Sequence, residues 1–119
     1  MNFNNFTIKS QEAVQEAVNL VQSRGQQAIE PEHLMAGLLK VGENVTNFIF
    51  QKLGINGQQI ETVLDRQIAS LPKVSGGEAY LSRSANEVLQ KALEVSKELG
   101  DEYVSLEALL LALLNVKST

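Results

Sequence analysis

The chain has 119 residues, 44% of them hydrophobic and 20% charged, which suits one domain with a buried core. Its net charge of −4 argues against a protein that binds nucleic-acid phosphates, because such proteins cluster Lys and Arg. The chain holds no cysteine, which excludes disulfides, thiolate metal ligands and thiol nucleophiles.

The sequence has no recognisable secretory signal or membrane-spanning segment. Its opening, MNFNNFTIK, lacks a basic stretch followed by an apolar one. The longest uninterrupted apolar run, 108–114, is far shorter than a membrane span. We therefore expect a soluble, cytoplasmic and mainly helical protein.

The first two predicted helices are separated by a glycine. An apolar stripe at helical spacing lies between Thr7, which suits an N-cap, and Gly25, which suits a left-handed C-cap. Glu30 takes the next N-cap position, before Pro31 at the first helical position, where the missing N–H is harmless. Glu32 then occupies the second position, where the helix dipole favours a carboxylate.

Two further helices are predicted before a connector. The third ends at Gly54, and Asn56 with Gln59 resembles a capping box for the fourth, which Pro72 ends. The stretch 73–80, KVSGGEAY, is interpreted as a flexible connector, because no lysine follows its glycines as in a phosphate-binding loop. The apolar stripes expected to face the core are Val45, Phe48, Ile49 and Leu53 in the third helix and Ile60, Val63, Leu64, Ile68 and Leu71 in the fourth.

The most informative feature of the sequence is an internal repeat. Residues 6–40 align without a gap onto residues 81–115, with eight identities where roughly two to three are expected from such a composition. The alignment predicts a fifth helix between an N-cap at Ser82 and a stop at Gly100, and a sixth after an N-cap at Ser105. The sixth helix contains ALLLALL, which is apolar all round, so we expect it to be buried on most sides or to lie at an interface. The identical pairs are Glu12/Glu87, Gln15/Gln90, Ala17/Ala92, Gly25/Gly100, Glu32/Glu107, Leu34/Leu109, Leu38/Leu113 and Leu39/Leu114.

The repeat predicts an all-α domain of two tandem, pseudo-twofold related units, with a core around the second and sixth helices. We assign repeat one to 6–71, the connecting loop to 72–80 and repeat two to 81–119. Because repeat two has two predicted helices and repeat one has four, we expect repeat two to be incomplete.

The order of these motifs resembles the N-terminal domain of the Clp family of AAA+ protein unfoldases. EPEHLMAGLL and SLEALLLALL carry the resemblance in the two repeats, and FTIKSQEAVQEAV and LPKVSGGEAYLS point to the disaggregase branch of the family. The resemblance implies a domain at the entrance of a homohexameric ring, where it engages unfolded or aggregated polypeptide. It also implies ATPase modules, with ATP and magnesium, outside this chain, and a monomeric state for the chain alone.

The resemblance also implies a substrate-binding site. A polar trio linked to substrate handling falls on Thr7 of NNFTIK, Asp101 of LGDEY and Glu107 of SLEAL. Each residue also has a structural interpretation that stays open: a helix cap, a position after a helix stop, and a complement to a helix dipole. The residues expected to form the wall of an apolar groove beside the trio are Tyr103, Val95, Leu99 and Ala108.

Other functional classes fit the sequence less well than this interpretation, apart from one that stays open. His33 is the single histidine, and neither a nucleophile elbow nor a G-x-x-x-x-G-K-[ST] loop occurs, so the sequence predicts no catalytic, cofactor-binding or metal site. A helix-turn-helix nucleic-acid binder is disfavoured, because the first and fifth helices lack a basic face. A domain that docks one adaptor or co-chaperone, and never touches unfolded clients, stays open as the alternative.

Overall fold

The computed structural model describes residues 3–74 and 76–115. Six α-helices account for most of this part of the chain, and the predicted all-α class is confirmed. The last four positions assigned to repeat two, 116–119, lie outside the described residues. The helices are α1 (Ile8–Ser23), α2 (Pro31–Val41), α3 (Glu43–Leu53), α4 (Gly57–Ala69), α5 (Arg83–Glu98) and α6 (Leu106–Asn115), and two short strands are β1 (Ala28–Ile29) and β2 (Tyr80–Leu81).

Side-chain caps fix where the helices of both repeats begin. The hydroxyl oxygen of Thr7 accepts a hydrogen bond from the backbone N–H of Ser10 at 3.1 Å. The hydroxyls of Ser82 and Ser105 do the same for the N–H groups three residues later, at 3.0 and 3.1 Å. Each cap satisfies a backbone donor that has no partner inside its helix, so the predicted helix starts are confirmed.

Glycines end α1 and α5 in the same way. Gly25 and Gly100 have φ angles of 68° and 76°, in the left-handed region where a side chain would be strained. The next residue in each case donates its N–H to a carbonyl five residues back, at 2.9 Å for Gln26 and 2.8 Å for Asp101. This geometry, the Schellman motif, satisfies carbonyls at the helix end.

The two repeats are joined by reciprocal backbone pairing that the sequence did not predict. β1 pairs in parallel with β2, which lies inside and just beyond the predicted connector, with Ile29 opposite Leu81. Phe6 forms a parallel bridge with Val104, and these two residues align with Leu81 and Ile29 in the repeat. The segment before the first helix of each repeat therefore pairs with the segment before the second helix of the other.

Helices α2 and α6 supply much of the core. In α2, Gly37 lies so close to α1 that an added Cβ would clash with the carbonyl oxygen of Ala13 and come within 3.1 Å of the nitrogen of Ala17. The prediction that α6 is buried is confirmed: its buried residues are Leu106, Ala108, Leu109, Leu110, Ala112 and Leu113.

The apolar stripe predicted for the third helix is correct for Val45 and Ile49, which are partly buried against the core, and wrong for Phe48 and Leu53. In α3 the buried residues are Thr46 and Phe50, whereas Phe48 and Leu53 are 60% and 56% exposed. The helix packs with the Phe50 ring towards Gly57 at the start of α4, which turns Phe48 to the surface. In α4, Leu64 and Ile68 are buried as predicted, but Val63 is exposed.

Candidate functional site

Thr7 lies against the segment that contains the other members of the predicted trio. Its backbone N–H donates to the carbonyl of Val104 at 3.0 Å, and the N–H of Val104 donates to the carbonyl of Asn5 at 2.7 Å. Its hydroxyl caps α1 and donates to the hydroxyl of Ser10 at 2.9 Å. The start of repeat one is thus anchored to the middle of 101–107 in repeat two.

Asp101 and Glu107 lie on either side of that anchor point. Asp101 follows the glycine that ends α5, and Glu107 is the second residue of α6, where the positive end of the helix dipole favours its charge. Both residues are exposed, and neither takes part in any of the four ion pairs among the described residues. No Lys or Arg occurs in 98–115, so this surface is acidic.

The structure separates the four residues expected to form the groove wall. Tyr103 and Leu99 are 48% and 45% exposed and can contact a ligand. Val95 and Ala108 are buried, Ala108 completely, because both belong to the helix faces that pack into the core. The structure therefore corrects the expectation for these two residues, which lie beneath the surface.

An apolar groove is formed mainly by α3, and Glu107 is the member of the trio that lines it. It has a volume of about 410 Å³ and is lined by Asn44, Val45, Phe48, Ile49 and Glu107. From the sequence, Val45, Phe48 and Ile49 were expected to face the core, and Asn44 was not singled out. Of the lining residues, only Glu107 was predicted for the site. A signal was present: five apolar residues within 45–53 cannot all face one side of a helix, so one of them had to be exposed.

His33 has a structural environment and is closed to solvent. The backbone N–H of Glu30 donates to its Nδ1 at 2.9 Å, so the neutral ring carries its proton on Nε2 and donates it to Gln26 Oε1 at 2.8 Å. The amide nitrogen of Gln26 donates in turn to the carbonyl of Ile68 at 2.7 Å. Burial, helped by the positive charge of Arg24, lowers the pKa of His33 from 6.5 to about 4. A fully bonded, buried imidazole has no access to a substrate.

The described residues contain no group of three or more histidine or acidic side chains arranged to hold a metal ion. Within the same ranges, no helix has the length and apolar character needed to cross a membrane.

Comparisons with known proteins identify related sequences and similar folds. The family model for the Clp repeat (R) N-terminal domain matches residues 5–119. The chain is 80% identical over 119 residues to the chaperone protein ClpB of Bacteroides thetaiotaomicron, and 51% identical over 117 residues to that of Porphyromonas gingivalis. These alignments include 100% and 98% of this chain, but the chain spans only 14% of the length of each relative.

Solved structures of similar domains share the fold. The N-terminal domain of the ClpV1 ATPase from Escherichia coli superposes with a TM-score of 0.84 at 25% identity, covering 93% of this chain and 68% of the other. The N-terminal domain of Hsp104 from Candida albicans gives a TM-score of 0.86 at 22% identity, covering 97% and 77%. A ClpV N-domain in complex with a VipB peptide gives 0.76 at 20%, covering 94% and 69%. With a family model that matches nearly the whole sequence and a fold shared with these domains, the chain belongs to the family of Clp repeat N-terminal domains.

Proposed function

We propose that this domain binds apolar segments of unfolded or aggregated polypeptides and helps deliver them to the pore of a ClpB-type, ATP-dependent disaggregase. The observation that carries the proposal is the exposed apolar groove between α3 and α6, which Phe48 and Glu107 line. Because the chain spans 14% of its curated relatives, the ATPase modules, the homohexameric ring and bound ATP and magnesium are assigned to the rest of a longer protein.

The chemistry of the groove matches that of a misfolded client. Unfolded chains expose aromatic and aliphatic side chains that a folded protein buries, and Val45, Phe48 and Ile49 offer a matching apolar surface. A site lined by five residues buries far less area than the roughly 1,200 Å² of a stable protein interface, so single segments should bind weakly, at about tens of micromolar. Weak, reversible binding suits a domain that passes its ligand on.

The polar trio has a supporting role in this proposal. Thr7 holds the start of α1 against Val104 and so fixes the segment that carries Asp101 and Glu107. The two exposed carboxylates attract basic residues of a client to the rim of the groove. Tyr103 and Leu99 extend the exposed apolar surface beside them.

An amide-NMR titration of this chain with an unfolded, net-neutral, apolar polypeptide tests the proposal. We expect shifts to cluster at the α3 residues of the groove, at 99–107 and at Thr7. Phe48→Ala should weaken binding at least several-fold, whereas Leu53→Ala, on the same helix and 56% exposed, should leave binding unchanged. Glu32 takes the equivalent position in α2, so Glu32→Gln is the matched control for Glu107→Gln. Equal effects of Phe48→Ala and Leu53→Ala would contradict the assignment of the groove.

Docking of an adaptor or co-chaperone is the second candidate. The solved complex of a ClpV N-domain with a VipB peptide favours it, since a domain of this fold there binds a peptide from one partner. The two candidates differ in selectivity: a client site accepts many unrelated apolar segments, whereas an adaptor site accepts one. Binding of a panel of unrelated unfolded polypeptides with affinities within about ten-fold of each other would support the client site. Binding confined to one folded protein would support the adaptor site.

A further inference from the structure

The apolar groove is charged differently at its two ends. The side chain of Leu106 packs against Gly42, the residue before α3, which places the neighbouring Glu107 beside the first turn of α3. At the other end, the Nζ of Lys52 lies 5.1 Å from the centroid of the Phe48 ring, one helical turn further along. The groove therefore runs from a carboxylate, across apolar side chains, to an ammonium group.

Neither of these end charges is neutralised. The four ion pairs among the described residues involve Lys9, Lys40, Arg83 and Lys91 as the cations, and all lie elsewhere. Lys52 contacts the face of an aromatic ring, which leaves its hydrogen-bond donors available.

The length of the groove sets how much chain it can hold. Asn44 and Lys52 are eight residues apart on one helix, or about 12 Å along its axis. An extended peptide rises about 3.3 Å per residue, so about four steps, or five residues, span this distance. Successive side chains of an extended chain point to opposite faces, so the first, third and fifth residues face the groove. The central one can then lie on Val45, Phe48 and Ile49 while the outer two reach the charged ends.

From this geometry we infer that the groove selects extended segments of about five residues with an apolar residue in the middle, a Lys or Arg at one end, and an Asp or Glu at the other. This inference rests on the proposed function and adds a charge pattern to the client. A ligand side chain that covers the Phe48 ring displaces Lys52 from it, and the ligand carboxylate gives the displaced ammonium a new partner. Glu107 accepts the basic end at the start of α6.

Each end contact is an exposed ion pair, which is worth about two- to five-fold in affinity at low salt. The preference is therefore moderate, and it weakens at high salt because the screening length falls to about 3 Å at 1 M. The apolar contribution does not weaken with salt, so the charge pattern can be separated from the apolar contact in one titration series.

Four capped peptides with the same apolar centre test the inference: one with two basic ends, one with two acidic ends, one with one of each, and one with neutral ends. Dissociation constants come from NMR titration of this chain. The mixed peptide should bind tightest, about two- to five-fold tighter than either like-charged peptide. Glu107→Lys should shift the preference to the peptide with two acidic ends, and Lys52→Glu to the peptide with two basic ends. Glu87→Lys changes the net charge by the same amount as Glu107→Lys but lies on α5 outside the groove, so it should leave the order unchanged.

The outcomes separate the two proposals. If all four peptides bind equally well at the groove, or if the groove variants do not change their order, the charge pattern is overturned and the client site stands. If none of the peptides binds while an unfolded polypeptide does, the groove does not bind such segments and the inference is again overturned. If the unfolded polypeptide also fails to bind, the proposed function itself fails.

Discussion

The buried imidazole of His33 should reduce the stability of the fold in mild acid. Protonation of Nδ1 would direct an N–H at the N–H of Glu30, which now donates to that nitrogen, so the ring resists protonation in the folded state. Its pKa is lowered to about 4, whereas the unfolded chain titrates near 6.5. Below pH 6.5 the unfolded state therefore binds a proton that the folded state does not.

The sign and size of the effect follow from this difference in pKa. Above pH 6.5 the ring is mostly neutral in both states, so it does not reduce the free energy of unfolding. As the pH falls from 6.5 towards 4, the free energy of unfolding decreases by about 1.4 kcal/mol per pH unit for one proton. Over the roughly 1.5 units between pH 6.5 and 5.0, we expect a loss of about 2 kcal/mol in the free energy of unfolding. This is a large part of the stability of a small domain.

Urea unfolding followed by circular dichroism, in steps from pH 7.5 to 5.0, measures this loss. The control is His33→Asn, whose side-chain oxygen can take the place of Nδ1 and which does not titrate. Subtracting the variant's pH profile from the wild-type profile removes the contribution of the carboxylates. Because His33 is the single histidine, its ring protons also report the pKa directly by NMR. A ring that titrates near 6.5 in the folded protein, or parallel pH profiles for the wild type and His33→Asn, would contradict the lowered pKa and its effect on stability.

Three further predictions concern stability at neutral pH. Gly37→Ala should destabilise the domain by about 1–3 kcal/mol, because the new methyl group clashes with the backbone of α1 at Ala13; an unchanged urea midpoint would contradict the close approach of the helices. Thr7→Ala should cost about 1 kcal/mol by removing the α1 cap, while Thr7→Ser keeps it; equal midpoints for the two variants would show that the cap contributes nothing. Gln26→Ala leaves the Nε2–H of the buried imidazole and the carbonyl of Ile68 without their partner. We therefore expect the free energy of unfolding, measured by thermal and urea unfolding, to fall by about 1–3 kcal/mol. An unchanged stability would mean that water replaces the amide.

The candidate site was only partly predictable from the sequence. Thr7, Asp101 and Glu107 were found through a family resemblance, and the structure places Thr7 against the segment that joins the other two. The α3 side of the groove was missed, because its apolar residues form a stripe that looks like a core face. Whether Phe48 or Phe50 faces inward depends on which helices cover α3, and a local pattern does not contain that information.

The helices and their ends follow from short stretches of the sequence. Caps at Thr7, Ser82 and Ser105, and stops at Gly25 and Gly100, act through hydrogen bonds and φ angles within a few residues of each helix end, so local chemistry suffices to predict them. The gapless repeat likewise showed that two similar units exist.

The way in which the two units combine depends on contacts between distant parts of the chain. The reciprocal pairing of Phe6 with Val104 and of Ile29 with Leu81 joins segments that are far apart in sequence and too short to carry a strand pattern. The groove also depends on long-range packing, since Phe48 and Glu107 come together only when α6 packs against the start of α3. Such contacts are selected by the total burial of the folded chain, which no short stretch of sequence determines on its own.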